Sequence, residues 1–428
     1  MTARKSSWLL AAALVLGMAQ VGAAQEFFLK KGDVVVVMGD SITEQRLYSN
    51  YLEIWSQTRF PSYNLVFRNV GIGGDTSGGG NGRFKRDVLG HKPTVLTVDF
   101  GMNDGGYQPF NAQRFDPYMK GLQGIANQAI AAKIRVAWIT PQPVEHNPTS
   151  VKAEEYNKTL EKFGDGVKAI AEKNEGLFVD QFHPYWAVVK KARDAGEKGR
   201  ITGGDAVHPG PPGQALMAAS ILKGLGFSAV VSDIRIEARK DEKGKGAIST
   251  SNCKLTEFEG NASGLRFKRE DGALPYFPEQ AKSILKWSPI LEDMNHYGLQ
   301  IAGMEAGKYD VLLGGKKAAT YSSAELAKGV NLASAALTVG PVADQVKDVV
   351  KAVDAKTNYY HGQIYSPLVL GRNVNAKNPD FKDVPKEDWG KHRAALIEER
   401  MKKMPELDAA VRKALEPRSH LVEIVPAK

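Results

Sequence analysis

The 428-residue sequence has a single cysteine, Cys253, so it cannot form an intramolecular disulfide. Its most apolar segment, residues 8–18, is shorter than the ~20 residues that a transmembrane helix needs. None of the eight histidines stands in a metal-binding spacing such as His-Glu-x-x-His. The net charge of +9 comes with no long basic block and no nucleic-acid-binding motif. The sequence therefore gives no indication of a disulfide framework, a metal site or a nucleic-acid partner.

The first two dozen residues have the layout of a targeting segment. Arg4 and Lys5 provide a basic start, residues 8–18 are apolar, and the small residues at 21–24 resemble a cleavage site. We therefore expect residues 1–24 to be a signal peptide and the mature protein to be exported, to the periplasm or the extracellular space. No integral membrane span is predicted after its removal, and the sequence leaves the oligomeric state open.

Residues 25–227 alternate between strand and helix patterns. The run 34–38 is unbroken, apolar and rich in β-branched residues, as in a strand buried on both faces of a parallel sheet. Strands that alternate with helices indicate a parallel sheet covered by helices on both faces. The segment 71–82 contains too many glycines for a helix or a strand and is predicted as a loop. The predicted strands are 33–38, 63–70, 94–100, 134–139 and 177–180, and the predicted helices are 44–58, 112–132, 151–173 and 212–224.

The pattern changes after residue 227. Short apolar stretches separated by turns follow one another, with few helical periods before about residue 323. We therefore predict a small antiparallel β module over residues 228–340. Helical patterns with prominent polar and basic residues return at Pro341, so residues 341–428 are predicted as a C-terminal helical region.

Three side chains have the chemistry that acyl transfer requires. Ser41 follows the first strand in a tight turn before a helix, which exposes it as a candidate nucleophile. His208 precedes the helix 212–224 and is the candidate base, and Asp205 is close enough to fold back on its imidazole and fix the tautomer. The order Ser, Asp, His matches α/β-hydrolases, but their Gly-x-Ser-x-Gly motif is absent around Ser41. The residues therefore indicate a hydrolase of another class.

The oxyanion of such a reaction needs hydrogen-bond donors. The candidates are the backbone N–H groups of Ser41 and Gly74 and the side-chain amide of Asn103, all of which follow predicted strands. Tyr107 and His146 lie in loops at the same predicted edge of the sheet and are candidate substrate contacts. A role in packing these loops is the alternative for both residues.

The candidate catalytic and oxyanion-binding residues fall in four short blocks along the chain. The blocks are Gly39-Asp40-Ser41, Gly73-Gly74-Asp75-Thr76, Gly101-Met102-Asn103-Asp104 and Asp205-Ala206-Val207-His208-Pro209. In these blocks and their order, residues 30–226 resemble the SGNH, or GDSL-type, hydrolase family. The resemblance implies a flavodoxin-like three-layer α/β/α core and serine hydrolysis of esters without a metal or cofactor. One position departs from the family pattern, because Ile42 stands where leucine is frequent.

The function predicted from these observations is that of an exported serine esterase, which cleaves carboxylic esters through an acyl-enzyme. We expect acetyl or another short acyl group on carbohydrate, such as acetylated polysaccharide, because export suits a polymeric substrate. The glycine-rich loop also suggests a shallow, open site. A lysophospholipase or a general carboxylesterase stays open within the same class. Alternatives of other classes are a carbohydrate-binding protein and a sugar O-acyltransferase.

Overall fold

The computed structural model describes residues 26–238 and 246–428 of the chain. The predicted signal peptide, residues 1–24, lies outside the described residues. Within the described ranges, no helix combines the length and the apolar composition that crossing a bilayer would require.

The first part of the chain forms a five-stranded parallel sheet with the strand order β2-β1-β3-β4-β5. Strand β1 lies between β2 and β3, with Val36 opposite Arg68 on one side and Leu96 on the other. This is the strand order of flavodoxin-like folds, so the predicted architecture is confirmed. The strands are β1 Val34–Gly39, β2 Val66–Asn69, β3 Val95–Asp99, β4 Arg135–Ile139 and β5 Leu177–Val179.

Helices cover both faces of this sheet and form two apolar cores. Val35 and Val37 of β1 belong to one core, whereas Val36 and Met38 belong to the other, because successive side chains of a strand point to opposite faces. The chain therefore has three layers, α, β and α, over this region. The helices are α1 Ser41–Glu44, α2 Leu47–Arg59, α3 Ser77–Asp87, α4 Ala112–Ala131, α5 Ala153–Lys173, α6 Phe182–Asp194 and α7 Pro211–Gly224.

Helix α3 corrects the prediction that residues 71–82 form only a loop. Thr76 caps this helix, since its side chain accepts a hydrogen bond from the Gly79 N–H. Close packing explains the glycine at position 80, since a Cβ placed on Gly80 would lie 2.7 Å from the ring of Phe100. The low helix propensity of glycine is therefore outweighed by a close approach of the helix to the sheet.

Residues after 227 form two further sheets. One has the order β13-β10-β6-β7 and contains a parallel pair, β6 with β10, so this module is not purely antiparallel. The other, in the order β12-β11-β14-β9-β8, is antiparallel throughout. The elements of this part are β6 Val230–Glu237, β7 Ile248–Ser251, β8 Cys253–Asn261, β9 Gly264–Asp271, α8 Ile290–Met294, β10 His296–Ala302, β11 Lys308–Leu313, β12 Lys316–Ser322, α9 Ser323–Lys328, β13 Val330–Asn331 and α10 Ala333–Ala336.

The C-terminal region is mostly helical, as predicted, but its last segment is a strand. β14 is inserted between β9 and β11, so this sheet joins residues on both sides of the predicted boundary at 340. The division into domains at 227 and 340 stays a prediction. The remaining elements are α11 Gly340–Tyr359, a π-helical segment Tyr360–Val369, α12 Trp389–Met401, α13 Met404–Ala414 and β14 His420–Pro426.

The close packing of α3 can be tested with two substitutions in the same helix. We expect Gly80→Ala to destabilise the protein by about 1–3 kcal/mol, because the new methyl group would overlap Phe100. Gly82→Ala is the matched control, since a Cβ there meets nothing within 4 Å, and alanine should be neutral or stabilising. Urea denaturation of both variants measures the difference; equal stabilities would contradict the packing explanation.

Candidate active site

Three of the predicted site residues meet because the strands that carry them are neighbours. Ser41 follows β1, Gly74 follows β2 and Asn103 follows β3, and these strands are adjacent in the sheet. Carboxyl ends of parallel strands share one edge, where open α/β sheets bind their ligands. A Cβ built on Gly73 would lie 4.0 Å from the Cβ of Ser41, which places the glycine-rich segment beside the serine.

Ser41, His208 and Asp205 form a continuous hydrogen-bonded chain. Ser41 Oγ lies 2.8 Å from His208 Nε2, and His208 Nδ1 lies 3.0 Å from Asp205 Oδ2. When Nδ1–H donates to the carboxylate, Nε2 is left as an acceptor for the Ser41 hydroxyl. The structure thus brings together the predicted nucleophile, base and orienting acid.

A short turn holds Asp205 against the imidazole. Asp205 Oδ1 accepts hydrogen bonds from the backbone N–H groups of Val207 and His208, at 2.8 and 2.7 Å. Partial burial would raise the pKa of Asp205, but these backbone bonds and His208 outweigh it and lower the pKa. Gly204 has φ +68°, and a Cβ there would lie 2.0 Å from the carbonyl oxygen of His208, so the turn needs glycine.

The predicted oxyanion donors have few other hydrogen-bond partners. Within the described residues, no hydrogen-bond acceptor is assigned to the backbone N–H groups of Ser41 and Gly74. Asn103 Nδ2 donates to the carbonyl of Asp75 at 2.9 Å, and its second hydrogen has only a long 3.5 Å contact with Asp40. The amide is therefore held in place while retaining a weakly used donor.

The two candidate substrate contacts lie in different surroundings. Tyr107 donates a hydrogen bond to Asn103 Oδ1 at 2.8 Å, so it fixes the orientation of that amide. His146 lines another surface cleft of about 640 Å³, together with Glu145 and Arg193. A direct substrate contact stays a prediction for both residues.

Asp40 is a site residue that the sequence analysis did not single out. It precedes the nucleophile and caps α1, where its Oδ1 accepts from the Ile42 N–H at 2.9 Å. Burial, with smaller contributions from the nearby carboxylates of Asp104 and Asp75, raises the pKa of Asp40 to about 7 against the effect of the cap hydrogen bond. Its position directly before the serine was the available sequence signal.

The region beside the histidine is an open groove with a volume of about 400 Å³. A larger cavity of about 730 Å³ adjoins it, since Leu47 lines both. Among the described residues, no three His, Cys, Asp or Glu side chains are arranged to hold a metal ion. The groove is lined by Gln45, Arg46, Leu47, Gly204, Asp205, His208, Pro209 and Gly210.

Comparison with known proteins supports the hydrolase class that the fold and the residues at this edge of the sheet suggest. Residues 37–216 match the model of the GDSL-like lipase/acylhydrolase family. These residues therefore form a domain of this family, which confirms the resemblance to SGNH hydrolases predicted from the sequence. The protein is accordingly a carboxylic ester hydrolase.

Individual relatives cover different shares of the chain. An acetylxylan esterase from Geobacillus stearothermophilus is 26% identical over 222 residues, which span 47% of this chain and 97% of that protein. A crystal structure of a catalytic mutant of that esterase matches at 25% identity over the same shares, with a TM-score of 0.41. A solved structure described as a gut microbial diltiazem-metabolizing enzyme covers 93% of this chain and 98% of its own, at 23% identity and a TM-score of 0.77. The last likeness extends the shared fold to the β-rich and C-terminal parts.

The buried carboxyl of Asp40 predicts how stability depends on pH. Its folded pKa, about 7, exceeds the ordinary 3.8, so the folded state binds the extra proton and loses stability as pH rises from about 4 to 7. Asp40→Asn keeps the cap without the charge. We expect the free energy of unfolding of this variant to depend less on pH. At pH 8 it should exceed that of the parent by up to about 4 kcal/mol.

Denaturation of parent and variant between pH 4.5 and 8.5 measures this difference. Asp383→Asn, at a carboxylate whose side chain is 86% exposed, serves as the control and should follow the parent. If the stability of the parent and of Asp40→Asn changed with pH in the same way, the role given to the buried Asp40 carboxyl would be wrong.

Proposed function

We propose that the protein is an exported serine esterase, on the strength of the hydrogen-bonded chain Ser41–His208–Asp205. Ser41 Oγ attacks the ester carbonyl carbon while His208 Nε2 takes the hydroxyl proton. The C–O bond to the alcohol breaks as the imidazolium returns this proton to the leaving oxygen. Water, deprotonated by the same imidazole, then releases the acid and frees Ser41.

The charges that develop in this reaction have partners in the site. The oxyanion of the tetrahedral intermediate receives hydrogen bonds from the backbone N–H groups of Ser41 and Gly74 and from Asn103 Nδ2. Asp205 stabilises the imidazolium, and its lowered pKa keeps it ionised at neutral pH. Its side chain is 65% exposed, so solvent screens this interaction in the free enzyme.

Acetyl groups on carbohydrate are the substrate that we favour. The acetylxylan esterase that is 26% identical over 222 residues acts, by its name, on such a polymer. The open groove beside His208 would admit a chain of sugar units. The basic and apolar N-terminal pattern supports export, which would bring the enzyme to an extracellular polymer.

A second candidate is a general carboxylesterase for larger apolar esters. The cavity of about 730 Å³ next to the groove favours it, because its volume suits a small-molecule ligand and many of its lining side chains are apolar. These include Leu47, Ile54, Phe277 and Val350. An acyl or alcohol group that passes Leu47 would reach this cavity.

The mechanism predicts separate effects for the nucleophile and for the oxyanion donor. Ser41→Ala should abolish hydrolysis of p-nitrophenyl acetate, whereas Asn103→Ala should lower kcat by about 10²–10³-fold with little change in KM. Circular dichroism and thermal denaturation check that both variants are folded. Full activity of folded Ser41→Ala would refute the proposal, and a pure KM effect at Asn103 would remove that residue from the oxyanion site.

The substrate class is tested by kcat/KM on acetyl and octanoyl esters and by acetate release from acetylated xylan. We expect acetyl esters and acetylated xylan to be preferred. The second candidate, a general carboxylesterase, predicts instead a preference for octanoyl esters. That preference should be lost in Val350→Trp, in which the new side chain fills the cavity. Thr338→Trp is a matched control, since Thr338 lies at the exposed border of the same cavity.

A further inference from the structure

The C-terminal region contacts the turn that carries the nucleophile. Arg372, which follows the π-helical segment Tyr360–Val369, forms a two-pronged ion pair with Glu44. Its Nη1 donates to Oε1 and its Nη2 donates to Oε2, the second at 3.3 Å. Glu44 lies three residues after Ser41, at the end of α1. The two partners are 328 residues apart in the chain, so this contact depends on the whole fold.

Glu44 in turn holds the glycine-rich segment. Its Oε2 accepts a hydrogen bond of 2.6 Å from the backbone N–H of Gly73, the residue before the proposed oxyanion donor Gly74. Gly74 has φ +74°, in the left-handed region, so its peptide could rotate if the preceding residue were not fixed. The Glu44 carboxylate, which Arg372 anchors from the other side, provides that restraint on Gly73.

Besides Arg372, two further basic side chains lie near Glu44. His361 Nε2 lies 3.6 Å from Oε1, and the guanidinium of Arg46 donates to the Glu44 carbonyl at 3.1 Å. Partial burial would raise the pKa of Glu44, but the nearby His361 and the hydrogen bonds from Arg372 and Gly73 outweigh it and lower the pKa to about 2. The carboxylate is therefore ionised throughout the range in which the enzyme can be assayed.

The segment that carries Arg372 is firmly packed on the α/β domain. Tyr365 is fully buried, and its hydroxyl donates to the carbonyl of Val70 at 3.0 Å, directly after β2. Tyr360 is also buried and its hydroxyl lies 2.7 Å from His91 Nε2. The guanidinium thus projects from a fixed support and not from a mobile tail.

We propose that Arg372 is a positioning residue for catalysis: through Glu44 it fixes Gly73 and so directs the Gly74 N–H toward the oxyanion. This gives the C-terminal region a role in the reaction, and it rests on the proposed function of Ser41 and Gly74. Misplacement of an oxyanion donor affects the transition state more than the bound substrate. Loss of Arg372 should therefore lower kcat and leave KM nearly unchanged.

The test compares Arg372→Gln with a matched control, using p-nitrophenyl acetate. We expect kcat to fall by roughly 10- to 100-fold in Arg372→Gln. Arg418→Gln is the control, because Arg418 is also 45% exposed and also ion-paired, with Asp348 at 2.8 Å, away from the site. It should keep the parent kcat, and thermal denaturation should show that both variants are folded.

Two further readouts separate positioning from a structural role. Arg372→Gln and Glu44→Gln should be strongly non-additive in kcat, since the arginine acts through the carboxylate. The ratio of kcat in Arg372→Gln to that of the parent should also fall from pH 6 to pH 4, because the pKa of Glu44 rises toward its ordinary range once the ion pair is lost. Taking the ratio removes every effect of pH that the two proteins share.

The outcomes distinguish this inference from the proposed function. If Ser41→Ala retains activity, the proposed function fails and the inference fails with it. If Ser41→Ala is inactive but folded Arg372→Gln keeps the parent kcat, only the inference is refuted. Additive effects of the two glutamine substitutions, or a ratio independent of pH, would also refute it.

Discussion

The hydrogen bond between Ser41 Oγ and His208 Nε2 is the interaction on which the site depends. It joins the first and the last loop of the α/β domain, so two residues 167 positions apart meet only through the tertiary fold. The bond to Asp205 extends it within one turn. Changes that shift β1 against α7 would therefore separate Ser41 from His208.

The carboxyl groups near this bond differ in pKa because their surroundings differ. Asp205 is exposed, accepts backbone N–H bonds and has a lowered pKa. Asp40, Asp99 and Asp104 are buried at the same edge, where desolvation raises the pKa of each. Ionisation of these buried acids is therefore disfavoured, and they accept hydrogen bonds from Ile42, Gln181 and Ser77. Asp205 is thus the one that ionises most readily among these four, and it is the one that contacts the imidazole.

Much of the site could be predicted because its signals are local. Ser41, Gly74 and Asn103 each follow a strand, and the strands pack side by side; Asp205 and His208 share one turn. Other features depend on contacts that no local pattern encodes. The helix α3 is glycine-rich yet stable through its packing, the strand β14 pairs with strands about 110–160 residues earlier, and the partners of Glu44 come from the far end of the chain.

The proposed mechanism depends on Ser41 as a nucleophile that His208 activates. Reaction of the enzyme with a fluorophosphonate, followed by peptide mapping with mass spectrometry, tests it most directly. We expect one adduct, on Ser41, which forms in step with loss of esterase activity and is absent from His208→Ala under the same conditions. An adduct on another residue, or full inactivation with Ser41 unmodified, would contradict it.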